Sequence, residues 1–129
     1  MTTLTPEQIA YLSTQTLGRL ATVNPSGAPQ NSPVGFTYNA ELGTIDIGGH
    51  NLGASKKFRN LATNDRVSFV VDDIVSTSPW LVRMVEIRGT AQALSDLEPT
   101  GQAFSGELIR IHPQRVISFG LNGERPPGT

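Results

Sequence analysis

The residues whose types and spacing best fit a chemical role lie between positions 55 and 59. Ser55 is a good helix N-cap, and this assignment places Lys56 and Lys57 in the first helical turn, beside the positive end of the helix dipole. Cations are unfavourable there unless an anion binds, and Arg59 adds a third positive charge. Backbone N–H groups at a helix start, a hydroxyl and three cations together predict a phosphate or carboxylate site. The alternative is a solvated basic turn.

A strand and a glycine-rich loop lead into this helix. The run Thr44–Ile47 has the composition of a strand, and glycines in the loop 48–53 allow a ligand to approach the backbone closely. Beyond the loop, apolar residues recur at the i, i+3, i+4 spacing of one helix face: Phe58, Leu61 and Ala62. His50 lies in the loop, where it either donates to a bound phosphate or ring, or is simply exposed.

A second candidate element is the segment from Gln30 to Tyr38, which we predict as one strand of a hairpin with the run 20–24. Pro33 cannot donate to a sheet ladder, and Gly35 allows another backbone or a flat ligand to come close. This strand is therefore either a sheet edge or a platform for a ligand.

Composition excludes several function classes. The chain has 129 residues, which fits one domain, and its net charge of −1 gives no general basic field for nucleic acid or anionic membrane. It has no cysteine, which excludes a disulfide scaffold, a thiolate metal site and a cysteine nucleophile. The first residues lack a secretory leader pattern and no apolar run reaches membrane-spanning length, so we expect a cytoplasmic protein.

The sequence gives little support for a hydrolytic active site or a metal site. Ser32 and Ser55 have no accompanying base and orienting group. His50 and His112 are far apart and lack an acidic pair at ligand spacing, so we expect no metal site. Asp72-Asp73 is interpreted as a solvated strand end.

Strand patterns dominate the rest of the chain. A short helix begins at Thr5-Pro6-Glu7-Gln8, which has the pattern of a capping box with proline at the first helical position. The other predicted elements are a central strand 66–71, an exposed loop 74–79, a long strand 81–94 with a bulge at Gly89, a weak helix or irregular connector 95–104, and strands 107–112 and 115–120. We therefore predict a mainly β protein: six to seven antiparallel strands in a small barrel with peripheral short helices, forming a single domain over residues 1–129, with a core at 5–121 and a mobile tail at 122–129.

Several of these segments occur in an order that resembles a known superfamily. The segments are Leu20-Ala21-Thr22-Val23, Pro29-Gln30-Asn31-Ser32-Pro33-Val34, Lys57-Phe58-Arg59-Asn60-Leu61, Arg66-Val67-Ser68 and Val85-Glu86-Ile87-Arg88-Gly89-Thr90-Ala91. They resemble the split β-barrel flavin and deazaflavin oxidoreductases related to pyridoxamine phosphate oxidase, the FMN-binding split barrel fold. The short chain and the Lys-x-Arg-Asn-Leu helix look most like the small actinobacterial branch that uses coenzyme F420, an 8-hydroxy-5-deazaflavin.

The resemblance implies a site as well as a fold. It directs Lys57 at the cofactor phosphate, places the ring against backbone on two strands, and puts a residue near Trp80 over the pocket. Together with the basic stretch, the implied cofactor-binding residues are Gln30, Asn31, Ser32, Pro33, Val34, Ile47, Gly48, Gly49, His50, Ser55, Lys56, Lys57, Arg59 and Trp80. Relatives place the cofactor at a homodimer interface. The apolar flanks of the strands 66–71 and 81–89 also favour a homodimer, because a partner would cover them.

The function implied is transfer of a hydride to or from a conjugated small molecule by F420. A cofactor that carries the hard chemistry needs no conspicuous acid–base pair in the protein. The resemblance leaves two alternatives: an FMN-binding protein like pyridoxamine phosphate oxidase, or a module that binds flavin, haem or another tetrapyrrole, including a biliverdin reductase-like protein. The sequence identifies no catalytic residue and no substrate.

Overall fold

A computed structural model describes residues 2–98 and 105–122. Seven strands and two short helices make up most of this part of the chain. The helices are α1 (Pro6–Ser13) and α2 (Lys56–Asn60), and a 3₁₀ turn at Leu52–Ala54 precedes α2. The strands are β1 (Leu17–Val23), β2 (Pro29–Gly35), β3 (Thr37–Asn39), β4 (Thr44–Ile47), β5 (Arg66–Thr77), β6 (Trp80–Leu94) and β7 (Leu108–Phe119). The predicted mainly β fold is confirmed.

The strands form one antiparallel sheet in the order β2-β1-β5-β6-β7-β4-β3, curled into a half-barrel. β2 and β3 are consecutive in the chain but lie at opposite ends of this order. Phe36 joins them, is buried, and packs edge-on against Phe69 with ring centroids 5.3 Å apart. The prediction of one strand from Gln30 to Tyr38 is therefore wrong. The chain passes from one end of the sheet to the other at Phe36, and this passage brings the two sheet ends together.

The N-terminal helix begins as the sequence predicts. Thr5 Oγ1 accepts a hydrogen bond from Gln8 N at 3.2 Å, and Gln8 Oε1 accepts one from Thr5 N at 2.9 Å, which completes a capping box. Tyr11 and Leu12 are buried on the face that meets the sheet. The α1 helix thus covers one end of the apolar core and lies away from α2.

The β5–β6 hairpin is longer than predicted, because residues 74–77 continue β5 instead of forming an exposed loop. Ile74 pairs with Val82 and Thr77 with Trp80. Serine, threonine and proline favour a loop, but backbone pairing with β6 holds this segment extended. The prediction of a strand end at Asp72-Asp73 is also wrong, because both residues lie within β5, where Asp72 forms an ion pair with Arg19 and Asp73 with Arg83. Asp72 is exposed to solvent, as predicted.

The bulge or bend predicted at Gly89 is confirmed, with Gln114 of β7 as the extra residue opposite it, and this bulge explains why β7 is one strand instead of two. The β6–β7 register shifts between Arg88 and Gly89, where Gly89 faces Pro113. A Cβ on Gly89 would lie 2.0 Å from the His112 carbonyl oxygen, so only glycine fits. Proline is tolerated at a bulge, and β7 therefore runs through Pro113 without the predicted break. Residues 99–104 of the predicted connector and 123–129 of the predicted tail lie outside the described residues.

A buried ion pair anchors β4, the strand that leads into the glycine-rich loop. Arg110 on β7 donates to both carboxylate oxygens of Asp46, at 3.0 and 3.1 Å, and Asp46 also accepts from Asn39 and Thr44. Burial opposes ionisation of Asp46, but the hydrogen bonds from Arg110, Asn39 and Thr44 outweigh it and hold the pKa of the carboxyl below its usual value. This network fixes the position from which residues 48–53 depart.

Candidate functional site

The predicted N-cap of α2 is confirmed. Ser55 has extended backbone angles, and its Oγ accepts a hydrogen bond from Phe58 N at 3.4 Å while donating to the Leu52 carbonyl at 2.6 Å. The helix that follows has only five residues, so its dipole is small. Any binding of an anion here must come mainly from side chains.

Three cations lie close together on α2. Within residues 2–98 and 105–122, no carboxylate lies in salt-bridge range of Lys56, Lys57 or Arg59, although four arginines elsewhere in this part of the chain are paired. Lys56 and Arg59 are exposed, whereas Lys57 is half-buried. Three adjacent positive charges without counter-charge form a local electropositive patch on a chain whose net charge is −1.

A pocket of roughly 290 Å³ lies between α2 and the hairpin of β1 and β2. Lys56, Arg59 and Asn60 face it at the i, i+3, i+4 spacing of one helix face. From the hairpin the pocket is lined by Asn24, Pro25 and Gln30. The structure thus brings the predicted site residues Gln30, Lys56 and Arg59 together. Lys57 does not line this pocket, since it lies about 100° further round the helix.

Asn60 joins α2 to the sheet, and the sequence analysis assigned it no role. It is buried, and its Nδ2 donates to Thr22 Oγ1 at 2.9 Å and to Gln30 Oε1 at 2.7 Å. The sequence indications are its place in the Lys-x-Arg-Asn-Leu helix and its i+4 spacing from Lys56. That spacing places the two side chains on one face of the helix but does not identify the partners on β1 and β2.

The glycine-rich loop is held by residues far away in the chain. Gly53 N donates to Glu107 Oε1 at 3.0 Å, Leu52 N donates to Ser105 Oγ at 3.2 Å, and Ser105 Oγ donates to the Gly49 carbonyl at 2.9 Å. A carboxylate of the chain itself therefore occupies the Gly53 amide, and a hydroxyl group occupies the Leu52 amide. Gly48 and Gly49 follow the buried residue Ile47, a Cβ on Gly49 would meet no atom within 4 Å, and His50 is exposed at the next turn.

The predicted ring platform lies partly on an edge strand. β2 pairs only with β1, so the edge interpretation of Pro33 and Gly35 is confirmed. On this strand Val34 is buried and Gln30 and Ser32 are half-buried, whereas Asn31, Pro33 and Gly35 are exposed. A Cβ on Gly35 would meet only the Thr16 carbonyl oxygen, at 3.9 Å. The exposed side of β2 is therefore open, and its role as a ring platform stays a prediction.

Trp80 is not close to α2 within one chain. It begins β6 opposite Thr77, whereas Arg66, six residues after α2 ends, pairs with Thr90 at the other end of the same ladder. At about 3.3 Å per residue these ends are roughly 30–35 Å apart. Trp80 is 55% exposed, beside exposed Ile74 and Val75. It can line the same site as Lys56 only if it comes from a second chain.

A larger pocket of roughly 580 Å³ lies on the other side of α2. Its walls are mostly apolar, with Phe58 and Leu61 on one side and Ala91 and Ala93 of β6 on the other. Arg59 lines both pockets. This larger space is wide enough for an organic ring system.

Metal sites and membrane-spanning helices are the next two features. In residues 2–98 and 105–122, no three acidic or histidine side chains are grouped closely enough to hold a metal ion. Over the same residues, neither helix has the length and hydrophobicity needed to cross a bilayer. The cytoplasmic location stays a prediction.

Comparisons with known proteins agree with this architecture. Residues 4–122 match the sequence profile of the family described as pyridoxamine 5'-phosphate oxidase. The chain is 49% identical over 129 residues to the 5a,11a-dehydrotetracycline/5a,11a-dehydrooxytetracycline reductase of Streptomyces rimosus subsp. rimosus, a match that covers 96% of this chain and 88% of the relative.

Two solved structures share the fold at low identity. A conserved hypothetical protein from Mycobacterium tuberculosis has a TM-score of 0.73 and 17% identity, over 100% of this chain and 94% of that protein. An F420 reductase has a TM-score of 0.60 and 22% identity, over 79% of this chain and 89% of that protein. At these identities the two structures show a common fold.

Proposed function

The chain belongs to the pyridoxamine 5'-phosphate oxidase family and is an oxidoreductase, and from that premise we propose that it is a reductase that uses the deazaflavin coenzyme F420. The acceptor we propose is a conjugated polycyclic small molecule. The Streptomyces rimosus relative reduces dehydrotetracyclines, and at 49% identity over nearly the full chain the same type of acceptor is the first to test. FMN is the alternative cofactor.

The observation that carries this proposal is the group of unpaired cations on α2. Lys56, Lys57 and Arg59 lack a carboxylate partner among the described residues, and two of them line a pocket with Gln30 of β2. F420 and FMN both have a phosphate on the chain that extends from a flat ring. Cations of α2 that bind this phosphate would leave the ring beside the open edge of β2 and the loop at Gly48 and Gly49.

The chain's own residues supply binding and orientation. Reduced F420, when bound, would supply a hydride from its C5 position to an electron-poor carbon of the acceptor and would itself become oxidised. In the proposal, β2 and residues 47–49 hold the ring flat, with the side chains of Gln30, Ser32 and Val34 behind the strand and its outer face exposed. The proposed cofactor-binding residues include His50 and Ser55 at the end of the same loop. Ser55 contributes chiefly as the N-cap that fixes Lys56 and Lys57.

A homodimer completes the proposed site. Within one chain Trp80 is at the far end of the β5–β6 ladder from α2, and it is exposed with its apolar neighbours Ile74 and Val75. In a twofold dimer this hairpin end can lie over the ring site of the other chain and exclude water from it. Sedimentation of the cofactor-bound protein tests this proposal. A monomer at micromolar concentration contradicts it.

The proposed function is tested by cofactor retention followed by turnover. The purified protein is dialysed separately against F420, FMN and haem, and the retained absorbance is measured. We expect retention of F420 and oxidation of reduced F420 when 5a,11a-dehydrotetracycline is added. Retention of haem or a bilin without F420 favours the tetrapyrrole-binding alternative. If the protein retains FMN and reduced FMN supports reduction of the acceptor, the cofactor is FMN instead of F420.

A further inference from the structure

We propose that Asn60 is a positioning residue for the anionic group of the cofactor, because its hydrogen bond holds the oxygen of the Gln30 amide and so turns the Gln30 N–H groups toward the pocket. The inference rests on the proposed function for the identity of the ligand. It concerns the pocket of roughly 290 Å³ between α2 and the β1–β2 hairpin.

The orientation of Gln30 follows from its bond to Asn60. Asn60 is only 5% exposed, and its Nδ2 group donates one hydrogen bond to Thr22 Oγ1 and the other to Gln30 Oε1. An N–H group requires an acceptor, so Gln30 must turn its oxygen toward Asn60. The amide N–H groups of Gln30 are then the polar groups that this side chain can offer to the pocket.

The side-chain amide of Asn24 is also oriented by hydrogen bonds to its oxygen, here from residues of its own turn. Its Oδ1 accepts three hydrogen bonds, from Ser26 N at 3.0 Å, Ser26 Oγ at 2.8 Å and Ala28 N at 2.9 Å. This leaves the Nδ2 group of Asn24 for the pocket that it lines. Two amide side chains therefore have their oxygens occupied by other parts of the chain.

The pocket thus presents mainly donors and positive charges. Lys56 and Arg59 are cationic and cannot accept, Asn24 and Gln30 can offer N–H groups, and none of the described lining residues is acidic. The exception is Asn60, whose two N–H groups are engaged and whose side chain can offer only its amide oxygen. An oxyanion, which accepts several hydrogen bonds, fits this set better than a neutral or cationic group. Because Asn60 also ties the five-residue helix α2 to Thr22, the same two bonds fix the position of Lys56 and Arg59.

Substitution of Asn60 by aspartate tests the inference at nearly constant shape. A carboxylate accepts only, so the introduced side chain would bind the N–H groups of Gln30 and turn the Gln30 oxygen into the pocket. Asn64→Asp is the control for the added charge, because Asn64 follows the end of α2 and does not line the pocket. Asn64 already uses its Oδ1 as an acceptor for Arg66 N, and a carboxylate keeps that bond. Gln30→Glu is the second variant, because it keeps the acceptor for Asn60 while placing a carboxylate oxygen in the pocket.

The readout is the preference for a ligand with a phosphate over the same chromophore without it. Dissociation constants are measured for F420 against its phosphate-free deazaflavin, and for FMN against riboflavin. We expect Asn60→Asp and Gln30→Glu to lower this preference by about tenfold or more, with less than about a threefold change for the phosphate-free ligands and for Asn64→Asp.

Three results overturn the inference. One is a folded Asn60→Asp protein that keeps the wild-type preference. Another is an equal loss for both members of each ligand pair, which is the result of a merely structural role. The third is a wild-type protein without preference in either pair. If wild type prefers FMN over riboflavin but does not bind F420, the proposed cofactor is wrong, and the FMN pair still decides the role of Asn60. If Asn60→Asp fails to fold, Gln30→Glu decides.

Discussion

Replacing Lys57 with alanine tests whether the positive charge of α2 serves a ligand. Lys57 has no carboxylate in salt-bridge range within the described ranges, so its truncation breaks no ion pair. If its ammonium group binds the cofactor phosphate, the loss is that of a hydrogen bond to a charged group, about 1.5–3 kcal/mol, or about ten- to a hundredfold in affinity. The free energy of unfolding of the apo protein should change by less than about 0.5 kcal/mol, because Lys57 lies in the last turn of the five-residue helix as well as in its first and its interaction with the small dipole nearly cancels.

The assay compares three single variants by fluorescence titration with F420 and with FMN, alongside thermal melts of the apo proteins. Lys56→Ala is the companion variant, because Lys56 lines the pocket with Gln30 and Lys57 does not. Arg115→Ala is the control, since it removes the same unit of charge from an exposed position on β7. Loss of affinity in both lysine variants but not in the control supports the phosphate site. Unchanged affinity for both cofactors in both lysine variants refutes the anion site and leaves a solvated basic helix.

The remaining predictions concern the ring platform and the network that anchors β4. Gly35→Val should leave the fold intact, because a Cβ there meets only a carbonyl oxygen at 3.9 Å, and should reduce cofactor affinity at least about tenfold; normal affinity would show that β2 is only a sheet edge. Asp46→Ala should lower the free energy of unfolding in urea by about 2–4 kcal/mol, because Arg110 is left half-buried without its partner. Asp72→Ala, which breaks an exposed ion pair, should lower it by less than about 1 kcal/mol. Equal losses of stability in the two variants would contradict this prediction. The pKa of Asp46 is lowered in the folded protein, so the stability that its ionised carboxylate contributes is complete above the unfolded pKa of about 3.9 and is lost as pH falls below that value. Between about pH 5 and 2 the free energy of unfolding should therefore fall more for wild type than for Asp46→Ala.

Local sequence patterns predicted the helix caps and the bulge, because these features depend on residues that are close in the chain. The capping box at Thr5, the N-cap at Ser55 and the bulge at Gly89 depend on residues close in the chain or on a single glycine. The length of β5 beyond Asp73 and the continuity of β7 through Pro113 depend on pairing with β6. Propensity favours a loop and a break at those positions, and tertiary pairing overrides it.

The candidate site was only partly predictable for the same reason. The cations of α2 are adjacent in sequence, and their charge is visible without a structure. Asn60 becomes informative only when its bonds to Thr22 and Gln30 are known, and these partners are 38 and 30 residues away. The hydrogen bond from Gly53 N to the Glu107 carboxylate joins two residues that are 54 positions apart in the sequence. Trp80 was predicted near the cofactor, and its distance from α2 within one chain makes that prediction depend on a dimer.

The central claim is that this chain transfers a hydride from reduced F420 to a conjugated acceptor. The direct measurement uses reduced F420 that carries deuterium at both hydrogen positions of C5, mixed with the purified protein and 5a,11a-dehydrotetracycline. We predict that one F420 is oxidised for each carbon–carbon double bond reduced, and that the deuterium appears on carbon in the product. Absence of F420 oxidation, while reduced FMN supports the reaction or no cofactor supports it, would contradict the claim.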